Sequence, residues 1–221
     1  SVQTGNDFAN TAITTSVSLT KSWNLAEGET APDVVFNLVR LVDGAAVSPN
    51  PYKTHTLLSG ETSYTFAGLP THDDEGNPYT YDVQEVTPTG YSSVKGEGNA
   101  FTNTAITTSV SGSKSWTLID GETKPTVTIE LYRVPAGAEG TNPYRTTTVK
   151  ADDTYEFTGL PTHNSAGTAY VYSVKEVVPV GYESEQTGND FANTAITTSV
   201  SGEKSWTLID GETKPTVTIE L

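Results

Sequence analysis

The 221-residue chain is acidic, with 27 Asp and Glu against 12 Lys and Arg and a formal net charge of −15. It has no basic cluster able to track a phosphate backbone, so nucleic acid is a poor partner and an anionic membrane surface is disfavoured. No apolar run is long enough to span a bilayer, and the absence of Cys rules out disulfides, Cys-ligated zinc and a thiol nucleophile together.

Thr, Val, Tyr, Gly and Pro are abundant, which favours short strands joined by turns over helices. Taken in chain order, residues 1–12 read as the last strand of a repeat, closing on Phe8-x-Asn10-Thr11. Ser1 opens no signal-peptide pattern and the chain has no Met, so it is expected to be a window on something longer. Residues 16–104 form one complete repeat and 109–194 a second. Within the second, alternation predicts strands at 110–118, 126–134, 146–150, 154–157, 169–177 and 190–195, punctuated by Gly121, Pro125, Pro135, Gly137, Gly140, Pro143, Gly159, Pro161, Gly167 and Gly181. Residues 199–221 read as the first two strands of a following repeat, since 197–221 match 107–131 except that Glu203 replaces Ser113.

The period is carried by Lys-Ser-Trp at Lys21, Lys114 and Lys204 and by Phe-x-Asn-Thr at Phe8, Phe101 and Phe191, with spacings of 93 and 90 residues in both motifs. Leu-Pro-Thr-His recurs at Leu69 and Leu160. Six or seven short strands in each repeat, with turns throughout, predict an all-β fold of tandem immunoglobulin-like sandwiches. The link from Thr104 to Val110 is short and lacks Gly and Pro, which predicts a semi-rigid rod.

Side chains alternate faces along a strand, so parity reports which residues share the core. Val17, Leu19, Lys21, Trp23 and Leu25 share one face, as do Val110, Gly112, Lys114, Trp116 and Leu118; the opposite face is Ser, Thr and Asn. Lys21 and Lys114 therefore point inward. Parity also groups Asn103 with Phe101, Asn193 with Phe191, Glu85 with Tyr79, Tyr81 and Val83, and Glu176 with Tyr170, Tyr172 and Val174. Each repeat thus aims one Lys, one Glu and one Asn at its core. Burying such charges is costly, and two readings account for the recurrence: a buried Lys-Glu pair whose hydrogen bonds Asn completes, or chemistry among the three.

The motifs, in order and at this spacing, resemble the Cna B-type repeats of Gram-positive collagen-binding adhesins and pilins. The resemblance rests on Lys-x-Trp, on Pro-x-Val-x-Ile-x-Leu-Tyr from Pro125 to Tyr132, on Leu-Pro with a Gly before Tyr-x-Tyr-x-Val-x-Glu, and on the closing Phe-x-Asn-Thr. It implies intramolecular isopeptide bonds joining Lys21 to Asn103 with help from Glu85, and Lys114 to Asn193 with help from Glu176. Asn10 and Lys204 would be partial sites. Desolvation favours the neutral forms such a reaction needs: a neutral amine is a nucleophile, a protonated carboxyl can hydrogen-bond the Asn carbonyl and shuttle protons, and folding supplies a high effective molarity. Each repeat would react once, which is self-processing rather than turnover.

The resulting expectation is a stalk or fibre segment on the exposed face of a Gram-positive cell, in contact with neighbouring repeats of its own chain, and reaching a host surface or matrix protein through a domain outside this segment. Rival readings have the repeats themselves bind a host matrix protein, or form part of a polymerised pilin shaft. No cofactor and no metal is expected. Asp73, Asp74 and Glu75 before Gly76 suggest calcium, but the second repeat has Asn164, Ser165 and Ala166 there, so a solvated turn is the reading adopted. His55, His72 and His163 have no recurring nucleophile beside them, and no catalysis is assigned to them.

Overall fold

The computed structural model describes residues 2–4, 7–9, 11–138, 140–150 and 153–221, with side chains described from residue 11 onward. The strands are β1 (Val2–Thr4), β2 (Asp7–Ala9), β3 (Thr14–Asn24), β4 (Val34–Val42), β5 (Ala45–Ala46), β6 (Lys53–Leu57), β7 (Ser63–Pro70), β8 (Thr80–Val86), β9 (Tyr91–Lys95), β10 (Ala100–Ala105), β11 (Thr107–Thr117), β12 (Val127–Pro135), β13 (Arg145–Val149), β14 (Thr154–Pro161), β15 (Tyr170–Val177), β16 (Tyr182–Thr187) and β17 (Asp190–Ala195). No α-helix is found among the described residues.

Two sandwiches follow one another. In the first, the sheet β7-β3-β10-β9 faces one in which β4 pairs with β5, β6 and β8. In the second, β14-β11-β17-β16 faces β13-β12-β15. Alternation along β4 turns Val34, Phe36 and Leu38 inward, and along β12 Val127, Ile129 and Leu131; they pack on Phe66, Leu69 and Phe101 in one core and on Phe157, Leu160 and Phe191 in the other. In each sandwich the first long strand lies parallel to the last: Phe101 is opposite Lys21 and Asn103 opposite Trp23, while Phe191 is opposite Lys114 and Asn193 opposite Trp116.

Several details differ from the sequence reading. β14 continues past Phe157 to Pro161 because Gly159, at φ 65°, absorbs a bulge at which the register with β11 shifts; Gly68, at φ 64°, does the same in β7. β9 and β16 were not expected as strands. Residues 1–12 hold a hairpin of β1 and β2 rather than one strand, since residues 3–12 repeat the sequence of 186–195, which spans the end of β16 and all of β17. Residues 196–221 contain no strand and are almost wholly exposed. Gly112 stands where the first repeat has Leu19. A Cβ there would lie 2.1 Å from the Asn189 carbonyl oxygen and 2.6 Å from the Tyr155 hydroxyl, and Tyr155 is more deeply buried than its counterpart Tyr64.

A single residue, Ile106, joins the sandwiches. Its N–H donates to Gly90 O at 2.8 Å, and its carbonyl accepts from the Thr162 N–H at 3.1 Å and the Thr162 hydroxyl at 3.0 Å. A second contact crosses from one repeat to the other: Glu29 from the loop after β3 meets Arg133 at 2.5 Å and accepts from the Tyr170 hydroxyl at 3.2 Å. The Arg133 guanidinium lies over both Tyr144 and Tyr170, 3.8 and 4.3 Å from the ring centres. Glu27 pairs with Arg145 at 2.9 Å.

Candidate functional site: a buried lysine, glutamate and asparagine

Lys21 and Asn103 reach the core from neighbouring parallel strands of one sheet, and Glu85 reaches it from the facing sheet, where it lies opposite Phe36. Lys21 Nζ is 3.5 Å from Glu85 Oε2, with the two side chains 0% and 2% exposed. Asn103 Nδ2 donates to Glu85 Oε1 at 2.6 Å, and Lys21 Nζ donates to Ser22 O at 3.1 Å. The second repeat repeats the arrangement: Lys114 Nζ lies 3.8 Å from Glu176 Oε1, Asn193 Nδ2 donates to that oxygen at 2.8 Å, and Lys114 Nζ donates to Ser115 O at 2.7 Å. Both amide oxygens, Asn103 Oδ1 and Asn193 Oδ1, are buried without a hydrogen-bond partner.

The amines are covered by aromatic rings. Each Lys Nζ lies 4.0 Å from the ring centre of the Trp two residues on, and Trp23 and Trp116 are packed edge-on by Tyr91 and Tyr182, both at 5.0 Å. Burial pushes both ammonium groups below the ordinary lysine value, against the opposing pull of Glu85 and Glu176. The neutral amine is thereby made more accessible.

The sequence reading placed the glutamic acid on the Asn carbonyl; here its oxygen faces the Asn nitrogen instead. In both repeats the carboxyl oxygen acts as acceptor and takes the amide N–H. The reading also missed a hydroxyl. Ser184 on β16 donates to Glu176 Oε2 at 2.5 Å, while Glu85 Oε2 in the first repeat has no hydrogen-bond partner. Parity along 182–186 puts Ser184 on the face of Tyr182 and Gln186, a pattern too polar to announce a core strand.

Asn10 lies outside the described residues. Lys204 is exposed, yet its Nζ donates to Ser205 O at 2.9 Å and lies 4.2 Å from the Trp206 ring, the same local arrangement as in the folded repeats. Asp73 folds its own turn, accepting from Glu75 N, Asn77 N and Asn77 Nδ2. Among the described residues no group of three or more His, Asp or Glu is placed to hold a metal ion, and no helix is long and apolar enough to cross a membrane.

The model of the Cna protein B-type domain matches residues 17–104 and 110–198. No curated protein matches the chain. Among solved structures, two B repeat units of the collagen binding protein of Staphylococcus aureus are 24% identical over 82% of this chain and 49% of that one, with a TM-score of 0.44. A single B repeat unit of the same protein is 26% identical over 84% of this chain and 100% of its own, with a TM-score of 0.34. The major pilin from Streptococcus pyogenes is 14% identical over 86% and 100%, with a TM-score of 0.41. The chain thus spans about half the length of the two-repeat structure. With its two matched segments covering most of the sequence, the chain belongs to the Cna protein B-type domain family.

Proposed function

We propose that this chain is a load-bearing segment of a stalk on the outer face of a Gram-positive cell, in which each complete repeat, 16–104 and 109–194, is locked by one intramolecular isopeptide bond. Residues 1–12 and 199–221 then belong to adjoining repeats, and contact with a host surface falls to a domain outside this segment. The observation that carries the reading is the convergence, in both cores, of a buried amine and a buried side-chain amide from the first and last strands on one carboxyl.

The reaction balances without a cofactor. The neutral Lys amine attacks the Asn side-chain carbonyl carbon, the bond from that carbon to Nδ2 breaks, the amine proton passes through the Glu carboxyl to the departing nitrogen, and ammonia leaves. The amide that forms joins Lys21 to Asn103, or Lys114 to Asn193. Burial shifts the amine towards its neutral form, and the sandwich supplies proximity. Each site acts once, so the role is structural rather than catalytic.

Intact mass under denaturing conditions tests this reading. The expected result is a deficit of two ammonia molecules, falling to one in Lys21→Ala and one in Lys114→Ala. A full-length mass with no deficit would leave only a pair of buried polar clusters.

A further inference from the structure

The junction seen between the two repeats has a counterpart on the open end of the first. There Arg40 lies over Tyr52 and Tyr79, 4.4 Å from each ring centre, as Arg133 lies over Tyr144 and Tyr170. Arg133 takes Glu29 of the neighbouring repeat, whereas Arg40 lines an open cleft with Tyr79, His72, Asp74 and Glu75, and its Nε is buried without a hydrogen-bond partner. The turn beside the cleft has the same form in both repeats, organised by Asp73 in one and Asn164 in the other. The two sockets are thus built alike but differ in charge: exposed Asp74 and Glu75 stand where the second repeat has Ser165 and Ala166.

The loop that enters such a socket differs in a matching way. At the existing junction a groove is lined by Thr30, Ala31, Pro32, Asp33 and Ser59 of the first repeat and by Ser165 and Ala166 of the second, so position 31 shares it with the variable pair. The second repeat keeps Glu122 at the position of Glu29 but carries the exposed Lys124 at the position of Ala31. Lys214 occupies that position again in the segment that follows. Within this chain a loop with no cation at position 31 meets a socket with no acidic residue at 165 and 166, and the acidic pair of the other socket calls for a loop with a cation.

We propose that the Arg40 cleft is a docking surface for the first loop of another repeat of the second kind, with its Glu122 carboxylate on Arg40 and its Lys124 against Asp74 and Glu75. This rests on the stalk reading and adds to it that neighbours are matched by charge. The Ala31-type loop keeps Asp33 where the Lys124-type loop has Thr126, so in the acidic socket it would set like charges against one another, whereas the Lys124-type loop brings a cation there.

The test inserts a copy of residues 106–195 between Ala12 and Ile13 of the full chain, which keeps the repeat phase at both junctions. Hydrogen exchange is then followed at residues 73–79 and, as an internal reference, at 164–170. The expected result is exchange at 73–79 slowed about tenfold relative to the parent chain. Lys124→Glu in the inserted copy should abolish the slowing, and adding Asp74→Lys and Glu75→Lys should restore it; all three side chains are exposed, and Trp emission reports that the repeats remain folded. Unchanged exchange at 73–79 with residues 164–170 still protected would overturn the docking proposal alone. Protection indifferent to Lys124→Glu would overturn the charge matching. Loss of protection at both junctions would overturn the rigid-stalk reading beneath it.

Discussion

Asn103 donates from Nδ2 to Glu85 Oε1 at 2.6 Å across the gap between the two sheets, while its own Oδ1 is buried and unpartnered. The leaving nitrogen of the proposed reaction is thus held against the carboxyl that must deliver its proton. Removing that carboxyl should slow the chemistry without removing either partner. Glu85→Gln and Glu176→Gln are each expected to slow ammonia loss in their own repeat by about 10²–10⁴-fold, the usual worth of a positioned acid–base group. Mass followed over time after refolding reads the rate repeat by repeat, and loss at the parental rate in either variant would remove Glu from the mechanism.

Lys21 and Asn103 lie near the ends of parallel strands, so a bond between them carries tension from β3 directly to β10 and spares the chain between. Closing a loop of this length is worth about 4 kcal/mol by analogy with disulfides. Asn103→Ala should therefore lower the melting temperature of the first repeat by roughly 15–30 °C. Under force the same variant should release the residues from Lys21 to Asn103 in one step of roughly 270–300 Å, a step the parent never shows. A single-molecule trace with that step in the parent would rule out the bond as the load path.

The lowered lysine pKa gives the unlinked protein a distinctive pH dependence. In Asn103→Ala/Asn193→Ala both lysines remain titratable, held below 10.5 by burial when folded and ordinary when unfolded. Between those values the unfolded chain binds more protons, so stability rises with pH through that window. Tyr155 and Tyr172, pushed up to about 12 by burial, act in the opposite direction only above their ordinary value of 10.0. Urea midpoints of the double variant should therefore climb as pH rises towards the ordinary lysine value of 10.5, up to the point near 10.0 where the tyrosines begin to oppose, and lose that climb when Lys21→Met and Lys114→Met are added. A midpoint that stays flat or falls before the lysines are replaced would contradict the lowering of the lysine pKa by burial.

The parts of this fold that were readable in the sequence are those in which alternation had an apolar background. On β3 a single inward lysine stood out between Leu19 and Trp23, and the three-residue constellation followed from parity alone. β16 carries Ser184 inward to serve Glu176, so its alternation has no hydrophobic signal. Parity grouped Gly112 with the apolar face, and only the structure shows the Asn189 carbonyl and Tyr155 hydroxyl occupying the space that a larger residue would need. The Glu29–Arg133 contact joins residues 104 positions apart on different repeats, a pairing that no local pattern encodes.

Ile106 has both of its backbone polar groups engaged, one by each sandwich. A joint with no spare residue cannot take up slack, and duplication of a unit bounded by it adds an increment of fixed height and fixed turn. In the stalk proposed above, copy number would then behave as a ruler: lengthening the array would change its reach and leave the angle of every existing step as it was.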